Sequence, residues 1–211
     1  IPVQYYFAYK GWYNLFMSFI PVFMFIIIPF MMVISGYEKH MGRSMGMMTS
    51  ALVLSVFGVS HMAMLVCHPG LNLDPAMGKG LLLFLIFLTQ INDVMQFTFG
   101  KLLGRNKILP VVSPNKTWEG FLGGLLGTSV VGYFMGFLTP FEDTWQIVLL
   151  SFSVALFGFI GDAIVSAIKR DFGIKDMGDS IPGHGGYLDR IDSLTASSAP
   201  FFHIVFILLL A

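Results

Sequence analysis

Six stretches of the chain, 15–35, 47–66, 81–99, 121–138, 147–168 and 194–210, are each close to the roughly 20 mostly apolar residues that a helix needs to cross a bilayer. Within hydrocarbon every backbone N–H and C=O must be satisfied internally. We therefore expect an all-α, multi-pass membrane bundle of about six transmembrane helices. Composition agrees, because 11% charged residues is far below the roughly 25% of a soluble domain. Pro21 and Pro29 are expected to kink the first span. The chain opens on Ile1 with no cleavable leader pattern, and N-terminal residues and spans of the full fold are expected to be missing from it. Cys67 is the one cysteine, which excludes an intrachain disulfide and a cysteine-based zinc site.

The connecting loops orient the bundle. Numbered alternately, one side carries Lys39, Arg43, Lys101, Arg105, Lys107, Lys116, Lys169, Arg170, Lys175 and Arg190, and the other only Lys10 and Lys79. Lysine and arginine accumulate on the cytoplasmic side of short loops. The loops 100–120 and 169–193 are therefore expected on one cytoplasmic face, with Ile1 outside. We expect N-terminal helices over 1–80 and, over 81–211, the transmembrane region that carries both of these polar loops. Trp12, Tyr13, Trp118 and Trp145 lie near span ends as interfacial anchors. The span 121–138 and its approach carry Gly120, Gly123, Gly124, Gly127, Gly132 and Gly136, a pattern suited to close helix packing.

Half of the 12 acidic residues lie between Gly161 and Ser193. Charge set so close to bilayer-length apolar runs marks a site facing water, a cation or an anionic ligand. Asp162, Ser166 and Lys169 share one helix face, with Arg170 beside it. Asp162 is expected to face a cation and Lys169 an anion. Asp189 and Asp192 sit one turn apart, with Arg190 between them. Carboxylates so placed repel unless a hard cation sits among them, and Mg²⁺ binds in this manner together with phosphate oxygens. The run PGHGG, with Gly183, His184, Gly185 and Gly186, offers backbone amides to an anion, and the imidazole can carry a proton near neutral pH. Lys175 and Asp176 precede it.

A second polar region follows the third span. Asp93 and Gln96 share a face near its end, and an intramembrane aspartate is a functional candidate by default. In SPNKTWEG, Ser113 and Thr117 either cap helices or meet substrate, and Lys116 faces the first polar region. The inventory is carboxylates for a metal, several cations and glycine-loop amides, without an adjacent nucleophile and base. That suits phosphoryl or nucleotidyl transfer, where positioning and charge neutralisation carry the catalysis.

The run SAIKRDFGIKDMGDSIPGHGGYLDRID, from Ser166 to Asp192, resembles the signature of the phosphatidate cytidylyltransferases, or CDP-diacylglycerol synthases. The preceding Gly161 and Asp162 and the block SPNKTWEG resemble the same family, so the likeness runs from about Asn92 to the C-terminus. Gln96 and Phe97 depart from the small residue and tyrosine usual in that family. The resemblance implies condensation of CTP with phosphatidate to CDP-diacylglycerol and pyrophosphate, with one or two divalent ions, and a monovalent ion admitted. It implies metal binding by Asp162, Asp189 and Asp192. Lys169 and Arg170 would then meet triphosphate or lipid phosphate, and Lys116, Lys175 and Arg190 the remaining phosphate charge. His184 would assist proton balance, and Asp176 and Glu119 would orient the basic groups. The expected partners are CTP, phosphatidate and the lipid bilayer of a bacterial inner membrane, with no nucleic acid and a homodimer left open. Two other readings stand beside this one. A CTP-dependent lipid-alcohol kinase would need a general base for a neutral hydroxyl. An ion or phosphate-ester transporter would need polar groups through the bilayer centre, where spans one, four and six are apolar.

Overall fold

A computed structural model describes residues 2–36, 41–67, 71, 73–174, 176–178, 186 and 188–210. In chain order the elements begin with α1 (Pro2–Lys10), α2 (Tyr13–Val22), a π turn Phe23–Ile27 and α3 (Ile28–Ile34). Then come α4 (Met41–Ala51), a π segment Leu52–Gly58, α5 (Val59–Cys67) and α6 (Pro75–Leu103). A hairpin of β1 (Lys107–Leu109) and β2 (Ser113–Thr117) leads into α7 (Trp118–Phe134), α8 (Thr144–Asp171) and α9 (Leu188–Leu210).

Among the described residues, five helices are long and apolar enough to cross a membrane: Tyr13–Ile34, Met41–Cys67, Pro75–Leu103, Thr144–Asp171 and Ile191–Leu210. These are five of the six expected spans. The remaining one is α7, helical as expected but 17 residues long, after which a 3₁₀ turn Gly136–Leu138 ends it. Two elements were not foreseen, α1 and the two-stranded hairpin inside the loop 100–120. The first span also differs in detail. Pro29 has no N–H for the carbonyl four residues back, and the helix widens into a π turn between Pro21 and Pro29, where the Ile28 N–H donates to Phe23 O.

Local signals set the helix ends. The Asp74 carboxylate accepts from Ala76 N at 2.9 Å and Pro75 takes the first helical position of α6, which extends that helix beyond the hydrophobic run. Thr117 Oγ1 accepts from Gly120 N at 3.1 Å to start α7. Lys169 and Arg170 occupy the last turn of α8, where cations oppose the carbonyl end of the dipole. Gly173, at φ 68°, closes that helix, a left-handed conformation that glycine adopts without strain.

Helices α6, α7, α8 and α9 pack closely together, and α5 joins them on α6 and α9. Phe84, Leu85, Leu88, Leu150, Val154, Phe201 and Phe202 are buried at the centre. The glycines of α7 do the packing expected of them. A Cβ on Gly120 would lie 2.7 Å from Gln96 O, and one on Gly124 would strike the Gln96 side chain. The fully buried Asn92 ties three helices together, donating from Nδ2 to Ala155 O at 3.3 Å and accepting from Thr128 Oγ1 at 3.4 Å.

Pro200 lies inside α9. Two residues before it, Ser198 Oγ lies 2.6 Å from Gly58 O and 3.2 Å from Thr195 O, and its one proton is placed to serve the shorter contact, across to the π segment. This brings the π segment so close to α9 that a side chain at Gly58 would collide with the Thr195 carbonyl. Gly58→Val is expected to force the two helices apart and cost about 2 kcal/mol, the usual range of overpacking a close contact. A lower thermal unfolding midpoint in detergent would register it, and an unchanged midpoint would refute the contact.

Candidate functional site

The hairpin, the C-terminal ends of α6 and α8, and the N-terminal ends of α7 and α9 meet at one end of the bundle. Thr117 caps α7 directly after β2, so the last residues of the strand are held over α8. Lys116, one residue earlier, reaches across 46 positions to Asp162 on α8. Its Nζ meets Asp162 Oδ2 at 2.5 Å and lies 4.7 Å from the Phe159 ring centroid. Ser166 Oγ donates to the other Asp162 oxygen at 3.2 Å. The cation expected near Asp162 is therefore the Lys116 ammonium in this structure.

Lys169, one turn further along α8, finds its anion in Asp189 on α9, at 2.9 Å, with side chains only 12% and 6% exposed. The second Asp189 oxygen accepts from Met177 N at 2.7 Å and from Gly186 N at 2.9 Å. Both oxygens of this carboxylate are thus engaged by protein donors. Burial alone would raise the Asp189 carboxyl, but the hydrogen bonds from Lys169, Gly186 and Met177 outweigh it and hold the group below the ordinary aspartate value.

Three other carboxylates lie close enough to act on one another's charge: Asp93 of α6, Asp162 of α8 and Asp192 of α9. Ser193 bridges two of them, its Oγ donating to Asp93 Oδ1 at 3.2 Å and its backbone N–H to Asp192 Oδ1 at 2.8 Å. Only Asp162 of the three has an ion-pair partner among the described residues. Of the expected trio Asp162, Asp189 and Asp192, Asp189 is engaged by Lys169 and two backbone amides, and Asp93 lies near the other two. Among the described residues no three His, Cys, Asp or Glu side chains converge tightly enough to hold a metal ion as placed. The donor set nevertheless suits a hard cation, being all oxygen and carrying more negative charge than Lys116 neutralises.

Asp93, Asp162 and Lys116 line a cavity of about 230 Å³ together with Ser113, Thr117 and Gln96. Ser113 and Thr117 both border it, while Thr117 also serves as the cap. Arg170 holds the hairpin from below, Nε donating to Val112 O at 3.3 Å and a terminal nitrogen to Ile174 O at 3.3 Å. Asp176 is exposed. Lys175, Gly183, His184 and Gly185 lie outside the described residues, as does the Arg190 side chain.

One contributor had no clear signal in the chain: Ser193 adjoins Asp192, and only its contact across 100 positions with Asp93 shows its part. Glu119, expected to orient basic groups, fixes the base of the hairpin instead, accepting from Arg105 N at 3.0 Å and from Asn106 Nδ2 at 2.8 Å. The Arg105 amide foremost, then its own amide and the Asn106 groups, hold its carboxyl down at about 2. A carboxyl depressed in the fold contributes stability above its unfolded pKa and loses it only as pH falls through the folded value. Amide exchange at Arg105 and Asn106 is therefore expected to stay slow down to about pH 3, and Glu119→Gln is expected to accelerate it at neutral pH. Equal exchange in both proteins would contradict this anchoring.

Comparison with known proteins gives a family. The model of the cytidylyltransferase family matches residues 1–209. The Escherichia coli (strain K12) protein YnbB, itself uncharacterized, is 39% identical over 206 residues, covering 97% of this chain and 68% of its own length. The phosphatidate cytidylyltransferase of Staphylococcus haemolyticus (strain JCSC1435) is 42% identical over 117 residues, and that of Staphylococcus saprophyticus is 41% identical over the same length. Those alignments take in 55% of this chain, and the chain spans 45% of the length of each of these two relatives. A match across nearly every residue, with a relative two-thirds covered, places this integral membrane chain in the cytidylyltransferase family.

Proposed function

We propose that the chain carries the reaction centre of a phosphatidate cytidylyltransferase, condensing CTP with phosphatidate to give CDP-diacylglycerol and pyrophosphate. The observation that supports it most is the joining of the Asp93, Asp162 and Asp192 carboxylates with Lys116 and Lys169 at one end of an apolar bundle. In the reaction a lipid phosphate oxygen attacks the α-phosphorus of CTP, the bond to the β-phosphate oxygen breaks, and pyrophosphate leaves with that electron pair. A phosphate monoester has its second pKa near ~6, so the attacking group is already mostly an anion at neutral pH and needs no strong base. Its difficulty is approaching another anion.

The chain's own residues answer that difficulty. Lys116, held to Asp162 from the hairpin, and Lys169, held to Asp189 at the end of α8, present ammonium groups on two sides of the carboxylates. Ser166 keeps Asp162 oriented, and Ser193 does the same for Asp93 and Asp192. Arg170 ties the turn of the hairpin to the end of α8 through Val112 O. Asp189 pins the segment after α8 through Met177 and Gly186. A divalent ion such as Mg²⁺ would draw on Asp93, Asp162 and Asp192 and supply neutralisation of phosphate charge. The charge asymmetry of the loops supports a cytoplasmic face, and the bacterial relatives support an inner membrane.

Purified protein given labelled CTP, phosphatidate and Mg²⁺ tests the reading. Release of pyrophosphate with a CMP-bearing lipid is expected. Release of CDP with a newly phosphorylated lipid would instead establish a kinase, and no product beside an active relative would end the proposal.

A further inference from the structure

Lys116 has two partners of different kinds. Its Nζ gives Asp162 the one hydrogen bond that this side chain makes among the described residues. The same nitrogen stands 4.7 Å from the centroid of the Phe159 ring. The face of an aromatic ring is negative, and an ammonium within about 6 Å of the centroid is attracted to it, most strongly where water is kept away. The Lys116 side chain is only 14% exposed. Phe159 precedes Asp162 by three positions on α8, so ring and carboxylate share one face of the helix. Phe121 of α7 packs against the ring, with centroids 4.6 Å apart and planes tilted by 46°. All four side chains border the cavity of about 230 Å³.

The two partners respond differently when another charge enters. A hard cation arriving at Asp162 claims the carboxylate that holds the ammonium, and the two positive charges then repel. A ring offers a hard cation no oxygen, so its attraction for the ammonium survives. It also leaves the N–H groups available. An ammonium has three of them, and Lys116 gives one to Asp162, while the others meet no protein acceptor among the described residues. An aliphatic side chain of the same bulk would suit the apolar span as well as phenylalanine does, and would give a charge nothing to face.

We propose that Phe159 is a positioning residue for Lys116, keeping the ammonium in the cavity when a cation claims Asp162, so that its N–H groups turn to a phosphate oxygen. The assignment deepens the proposed cytidylyl transfer and rests on it for the phosphate, while the contact of ring and ammonium is read separately. Lys116 exchanges one anion for another without leaving the ring.

Fluorinated phenylalanines incorporated at position 159 of the full chain keep the ring's shape and drain its face of negative charge. Acetylation of Lys116 by acetic anhydride in detergent, followed by mass spectrometry, reads the contact without turnover. In Asp162→Asn, where the ring is the remaining partner, the rate is expected to climb stepwise with one, two and three fluorines. It should end about tenfold higher, within the range of a desolvated ring contact. Phe159→Leu in that background should raise it at least as much. With Asp162 kept, kcat/KM for CTP should fall in the same order, by about tenfold with three fluorines. A flat acetylation series would overturn the proposal and leave Phe159 a packing residue, as would a graded series with kcat/KM unmoved. Graded acetylation with no CMP-lipid formed by any of the proteins would uphold the contact and overturn the reaction.

Discussion

Asp162→Asn should leave a folded protein that forms CMP-lipid about a hundredfold to a thousandfold more slowly, the loss typical of removing one preorganised electrostatic group. Asp162 is the point where the site is most densely connected. Lys116 reaches it from the hairpin, Ser166 from its own helix, and Asp93 and Asp192 from two others act on its charge. The amide fills the same space and still accepts from Ser166, so the packing of α8 is kept. What is lost is the charge that fixes the Lys116 ammonium and would help to gather a cation. The stability change and the rate change are therefore expected to separate. Lys116→Gln combined with Asp162→Asn should restore the thermal midpoint toward that of the unsubstituted protein, because no unpaired charge is left, and should remain inactive. A double variant that regained activity would show the pair to be a structural strut.

The second large effect is expected at Asp189. Asp189→Ala strips Lys169 of its counter-ion in a nearly buried position and leaves the Met177 and Gly186 amides unmet, at a cost of about 3 kcal/mol. Limited proteolysis after α8 should accelerate, and activity should fall with it. Since the Asp189 carboxyl sits below its ordinary value in the fold, this contribution is complete above the unfolded aspartate pKa. It fades only as pH falls through the lower folded value, so mild acid should leave the segment pinned. Lys169→Met together with Asp189→Leu removes both charges and should recover part of the stability, as replacing a buried pair often does. Recovery of activity in that variant would exclude both residues from charge neutralisation.

These two expectations mark where reading the chain succeeded and where it stopped. Hydropathy alone located the spans, and the helical spacing of Asp162, Ser166 and Lys169 put one polar stripe on one face. Spacing along a helix, however, says nothing of distances between helices. Asp189 and Asp192 are equivalent by spacing, yet one turns to Lys169 and the other toward Asp93 and Asp162. Asp93 was read as a candidate, and its union with Asp192 depends on a contact 100 residues long through Ser193. The hairpin was hidden for another reason. The run KILPVVSPNKT carries two prolines and no sustained alternation, so nothing in it announces a strand. Its pairing is set instead by the helices at either end and by Glu119. The glycines of α7 were readable because close approach in a membrane leaves few alternatives to small residues.

Between its two pairings, Lys107 opposite Thr117 and Leu109 opposite Ser113, strand β2 takes four steps where β1 takes two. The surplus forms a bulge ahead of Lys116, and a bulge takes up an added residue locally. Lys116 is aimed from its other side, by the neighbouring Thr117 that caps α7. Residues inserted between Ser113 and Asn115 are thus expected to be tolerated, whereas one inserted between Lys116 and Thr117 would part the ammonium from the helix that aims it.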